Sequence, residues 1–127
     1  MSVLRAAVTW GALAGWAACV WLVSSRSDPR SDVPLPWDVP DKLAHAAEFA
    51  VGGYLARAAF STVRMAASPA LAAVLACAAW GFVDEVHQGF VPGRTTDPWD
   101  LAADVTGAAL GVLVHALVRG RAAGPTP

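Results

Sequence analysis

The chain has 127 residues, room for one domain, with 56% apolar and 15% charged residues and a formal net charge of −1. Soluble domains carry about one quarter charged residues, and a small soluble fold would leave much of this alanine, leucine and valine facing water. A soluble globule is excluded on that ground, and no nucleic-acid partner is expected.

The first apolar segment runs from about Ala6 to Val23, between Arg5 and the Ser24-Ser25-Arg26 string. Its length suits a membrane span, which needs about 20 mainly apolar residues. Val23 and Ser25 make a tolerable cleavage pattern. Its tryptophans and Gly11-x-x-x-Gly15, however, suit a helix that stays and packs. A polar stretch with Pro29, Pro34, Pro36 and Pro40 follows, and Trp37 within it is expected to anchor at the membrane interface.

A second helix is predicted over residues 41–60, capped by Asp41 just after Pro40. The third covers residues 69–90, with Ser68 as N-cap and Pro69 at the first helical position. The fourth covers residues 98–118, with Asp97 as cap and Asp100 placed to answer it in a capping box. This last helix carries a second close-packing pair, Gly107-x-x-x-Gly111. Cys19 and Cys77 fall inside apolar stretches and read as packing residues. The expected architecture is all-α: a polytopic integral membrane protein of one domain over residues 1–127, its four transmembrane helices in a compact bundle.

The charges segregate. One side of the predicted bundle holds Arg5, Arg57, Arg64, Arg119 and Arg121 and no acid. The other holds Arg26, Arg30, Lys42 and Arg94 together with all 10 carboxylates. Counting basic residues by the positive-inside rule puts both termini in the cytoplasm and the acidic side outside.

On the acidic side a polar cluster is legible. Asp41, His45 and Glu48 share one helical face, with Glu48 about 10 Å deeper than Asp41. Asp97, Asp100 and Asp104 repeat the descent on the last helix, and Glu85 and Gln88 are neighbours near the end of the third. Asp84 and Glu85 are adjacent and are expected to face different ways, one of them towards water or Arg94. Pro92 and Gly93 reverse the chain, so Arg94 is expected to fold back and grip the Glu85 carboxylate. His87 reads as an interfacial residue and His115 as a packing or helix-end histidine. Capping explains Asp41, Asp97 and Asp100, and snorkelling explains Lys42. Glu48, Glu85 and Asp104 are costly inside a membrane and must face the bundle or a wet cavity.

At these residues the sequence resembles the VanZ-like family of bacterial membrane proteins. The strings that carry the likeness are Asp41-Lys42-x-x-His45, Glu85-x-x-Gln88-x-Phe90-x-Pro92-Gly93-Arg94, Asp97-x-x-Asp100 and the helix with Gly107 and Gly111. In their order and gaps they extend from Pro40 to Gly111. The family usually has asparagine where this chain has Asp104. The resemblance implies a four-helix protein of the bacterial cell (inner) membrane. It also implies a link to envelope processes, since the family takes its name from a protein linked to glycopeptide (teicoplanin) resistance.

Four functional classes fit these residues. The expected one is binding of an envelope lipid or glycolipid headgroup, such as a cell-wall precursor, in a pocket of Asp41, Lys42, His45, Glu48, Glu85, Gln88, Arg94, Asp97, Asp100 and Asp104. The alternative is an intramembrane hydrolase or transferase using His45 or Glu85 as general base. A divalent site of His45, Glu48, Glu85 and Asp104 is the third, and a structural bundle the fourth. Lys42 and Arg94 among the acids predict charge balance with no metal and no cofactor.

Overall fold

A computed structural model describes residues 2–27, 40–65 and 67–122. The expected interface anchor Trp37 and most of the proline-rich stretch around it lie outside these residues. Four helices follow one another: α1 (Val3–Ser24), α2 (Asp41–Phe60), α3 (Pro69–Gln88) and α4 (Pro98–Ala122).

Their starts are written in local chemistry. Ser2 caps α1 by accepting from the Arg5 N–H, and Ser68 caps α3 by accepting from the Ala70 N–H at 3.3 Å. Asp97 caps α4, its Oδ1 accepting the Trp99 N–H at 2.9 Å. Two expectations are corrected here. The residue capping α2 is Pro40, with no side-chain bond, and Asp41 is the first residue of the helix. Asp41 therefore acts on the helix dipole rather than as a cap. Nor does Asp100 complete a capping box, because the Asp97 N–H is donated to Glu85 Oε2 at 2.9 Å. Helix α3 stops at Gln88, slightly short of the expected end. Val91-Pro92-Gly93-Arg94 then closes a turn by an Arg94 N–H to Val91 carbonyl bond of 3.1 Å. Gly93 sits at φ 81°, where a side chain would be strained.

The chain runs up, down, up, down. Trp10 of α1 meets Phe60 of α2, whereas Ser24 meets Asp84 of α3, so α1 and α3 point one way and α2 and α4 the other. Helix α2 packs against all three others, most extensively against α4. That contact is made backbone to backbone. A Cβ added at Gly107 or Gly111 would overlap the carbonyls of Ala46 or Ala50, and one added at Gly53 would overlap that of Ala108. The core beside it is built from small residues around Phe49: Val20, Ala56, Ala73, Cys77, Ala108 and Val112. In lipid such close approach supplies the van der Waals contact that holds helices together. The other glycine pair behaves differently: a Cβ at Gly11 or Gly15 meets nothing, so these residues pack against no helix among the described residues.

Helix α1 has only Val20 and Ser24 buried. It is tied down by polar bonds instead: Trp10 Nε1 to Thr62 Oγ1 at 3.2 Å, Trp16 Nε1 to the Glu48 carbonyl at 3.1 Å, and Ser24 Oγ to Asp84 Oδ1 at 2.5 Å.

Three helices are long and apolar enough to cross a membrane: Val3–Ser24, Pro69–Gln88 and the Pro98–Arg121 part of α4. Their outward residues are apolar, among them Leu22, Leu75, Phe82, Leu113 and Leu117. The protein is a membrane protein by this measure. The expectation of four such spans is corrected to three, since α2 carries Asp41, Lys42, His45, Glu48 and Arg57 and its own composition is too polar. The helix that is most polar is also the one packed most extensively against the others.

Candidate functional site

The starts of α2 and α4 and the ends of α1 and α3 meet at one end of the bundle, and the expected polar cluster forms there. Lys42, in the first turn of α2, reaches across to α4 and bonds Asp97 Oδ2 at 2.6 Å and Asp100 Oδ1 at 2.8 Å. One turn deeper, His45 Nδ1 lies 2.9 Å from Asp104 Oδ1, and Nε2 lies 3.9 Å from Asp100 Oδ2. Asp104 is 1% exposed. Room for it comes from Gly81 of α3, where a Cβ would stand 2.8 Å from Asp104 Oδ2.

Glu85 turns towards the α4 start. One oxygen takes the Asp97 N–H, and the other, Oε1, is buried with no hydrogen-bond partner. The expected grip of Arg94 on Glu85 is absent among the described residues. The physical reason is competition, since the nearby backbone N–H of Asp97 offers a bond needing no side-chain ordering. Arg94 is half-buried and makes no ion pair among the described residues. Its charge acts on Glu48, which also lies within electrostatic reach of His45, Asp84 and Asp104.

Outside the helices, at the rim, Asp97 has its carboxyl held below the usual carboxylate range by the Lys42 ammonium and then by the Trp99 N–H.

Asp84 is the site residue that spacing missed. It is 3% exposed and joins α1 to α3, accepting from Ser24 and, at 2.7 Å, from Gln88 Nε2. Asp84 and Glu85 are both buried, against the expectation that one would meet water or Arg94. The signal lay in Cys77, Gly81, Asp84, Glu85 and Gln88, a single buried seam whose two edges carry the adjacent acids. Gln88 is consumed by this bond and is 2% exposed.

His87 stacks on Trp21, their ring centres 3.8 Å apart. His115 packs edge-on against Tyr54 far from the cluster, as a packing histidine should. The charges of Arg57, Arg119 and Arg5 act on it, marking the opposite, basic end.

The sequence-derived metal set of His45, Glu48, Glu85 and Asp104 is not what the fold groups most tightly. Potential ligand atoms of Asp41, His45 and Asp100 all lie within 4.8 Å of one another. An imidazole with two carboxylates suits a divalent cation.

The chain matches the family described as VanZ/LLP1 over residues 16–119, from the second half of α1 through nearly all of α4. Nothing among curated proteins or solved structures matches it. The match takes in every cluster residue from Asp41 to Asp104, and the chain belongs to the VanZ/LLP1 family.

Proposed function

We propose that this membrane protein of the VanZ/LLP1 family works in the bacterial cell envelope, binding a lipid or glycolipid headgroup at the acidic end of its bundle. One observation carries the reading: buried Glu85 Oε1 lacks a hydrogen bond, while half-buried Arg94 lacks an ion pair among the described residues. Both need a partner, since a buried acceptor left unmade costs about 1–3 kcal/mol. A headgroup with a phosphate for Arg94 and a hydroxyl or amine for Glu85 meets both needs. Lys42 is already engaged by two aspartates and Gln88 by Asp84, so neither is the main contact.

Two further features fit a lipid. Phe90 and Trp99 are 81% and 71% exposed beside the cluster, placed as aromatic residues are at a membrane interface. Along the same α2–α4 pair, Val51, Tyr54, Leu55, Gly111 and Val114 line an open apolar groove of about 320 Å³, suited to an acyl chain. In this reading the acidic end faces outward and both termini are cytoplasmic. A reporter fluorescent only in the cytoplasm, fused after Pro127, then lights up, and a dark fusion would reverse the orientation.

The test of binding is native mass spectrometry of gently extracted protein. The wild type should retain a phosphate-bearing lipid that Arg94→Ala and Glu85→Ala lose. An identical lipid complement in all three would refute the reading.

A second reading, an intramembrane hydrolase or transferase, is favoured by the His45–Asp104 contact. A carboxylate on Nδ1 holds the ring and leaves Nε2 as a general base. Turnover of an envelope lipid that disappears in His45→Gln would establish it.

A further inference from the structure

The acidic end carries more acidic than basic side chains. Among the described residues Asp41, Glu48, Asp84, Glu85, Asp97, Asp100 and Asp104 share it with Arg26, Lys42 and Arg94. The starts of α2 and α4 add about half a positive charge each, which does not close the gap. Sequence alone lets Lys42 and Arg94 balance the acids. In the fold, Lys42 is spent on Asp97 and Asp100, and Arg94 pairs with no acid among the described residues.

Geometry concentrates this excess at one point. His45 Nδ1 is held 2.9 Å from the carboxylate of Asp104, itself buried and placed against Gly81, so Nε2 is the ring nitrogen left for a cation to take in place of a proton. Nε2 is directed at Asp100 Oδ2, 3.9 Å away, and a carboxylate oxygen of Asp41 completes a set within 4.8 Å. Lys42 holds the other Asp100 oxygen and so fixes how that carboxylate is turned. A carboxylate on the far nitrogen of a ligating histidine is the usual outer support of a metal site. Ligand bonds of about 2.0–2.2 Å need only a small contraction of the triad. Independently, Glu85 is 7% exposed, keeps Oε1 unbonded, and lies within electrostatic reach of His45 and Asp100. When no headgroup occupies it, this oxygen is an acceptor for a water on a cation. Asp41 is exposed, which leaves the site open at the bundle end.

We propose that Asp41, His45 and Asp100 form a binding site for a divalent transition cation, zinc or manganese, with Asp104 as the residue that positions His45. The site does not depend on lipid binding, and its test needs no lipid.

Full-length protein in mild detergent, stripped with chelator, is titrated with Zn²⁺ alone and with Mn²⁺ alone by calorimetry and elemental analysis. The expected result is one cation per chain for at least one of them, with a raised thermal midpoint. Asp41→Asn and His45→Gln should each weaken binding at least tenfold. Asp104→Ala should weaken it about 10- to 100-fold, while Asp104→Asn, which keeps an acceptor for Nδ1–H, should restore most of it. Glu48→Gln should stay within about twofold. Asp41→Asn changes an exposed residue in a first helical turn, so it remains informative if a core variant misfolds. No stoichiometric uptake of either cation overturns the proposal. So does uptake indifferent to Asp41→Asn, or uptake abolished by Glu48→Gln.

Discussion

Helices α2 and α4 run parallel, and two stretches of their contact are joined by opposite means. From Ala46 downward Gly53, Gly107 and Gly111 let one backbone press on the other, with no side chain between them. In the stretch nearer the helix starts, Lys42 and His45 reach across to Asp97, Asp100 and Asp104. The first kind of contact needs no partner choice and tolerates no added atom. The second tolerates a change of size but not the loss of one partner. A scaffold that is rigid below and polar above keeps its charged groups in place without spending them all on one another.

The largest effect should come from Gly107→Leu, which sets a side chain where the Ala46 carbonyl lies. Forcing the helices apart should cost about 3 kcal/mol or prevent folding, read as thermal unfolding in detergent. Retained stability would mean that α2 and α4 are not in backbone contact.

In the polar stretch, Asp104→Ala strips His45 Nδ1 of its acceptor in a buried place and should cost about 2 kcal/mol. His45→Ala should cost a similar amount, and the double variant less than the sum, as for groups in contact. Strict additivity would separate the two residues. Glu85→Ala and Arg94→Ala offer the reverse control. They make no ion pair, so their effects on stability should add to within about 0.5 kcal/mol.

Much of this was readable beforehand, and the failures have physical causes. Helix ends followed from Ser68-Pro69, Asp97 and the Pro92-Gly93 turn, since caps and turns are local. The descent of acids on α2 and α4 was visible as periodicity, and the fold brings His45 to Asp104. What could not be read was which of several nearby donors wins. Glu85 has both Arg94 and the Asp97 N–H within a short stretch of chain, and only three-dimensional placement decides for the backbone. The Ser24–Asp84 bond joins residues 60 positions apart, and no spacing rule announces it. The two glycine pairs read identically in one dimension, yet only Gly107 and Gly111 face a neighbour.

Smaller effects sharpen the same contrast. Asp97 is half-exposed at the rim, and Lys42 keeps its carboxyl below the usual range. A depressed folded value means that its contribution is present above the unfolded carboxylate pKa of about 4. That contribution is lost as the pH falls through the lower folded value. Asp97→Asn should therefore lower stability slightly at neutral pH, with the difference vanishing as the pH falls through the folded value, and so flatten the acid limb; a neutral-pH loss as large as that of Asp104→Ala would place Asp97 in the core. Smallest of all, Gly11→Leu and Gly15→Leu should move stability by no more than about 0.5 kcal/mol. A loss comparable with Gly107→Leu would show that this face is covered in the membrane.

The three bonds of α1 act like pegs in a rack. Trp10, Trp16 and Ser24 are spaced along the helix at about 9 Å and 12 Å. A slide of one turn withdraws all three together, and a slide of any other length seats none of them properly. An apolar helix in lipid otherwise has little to choose between neighbouring settings. By fixing the lengthwise setting of α1, these pegs also decide that Ser24, and no other residue of α1, arrives at Asp84.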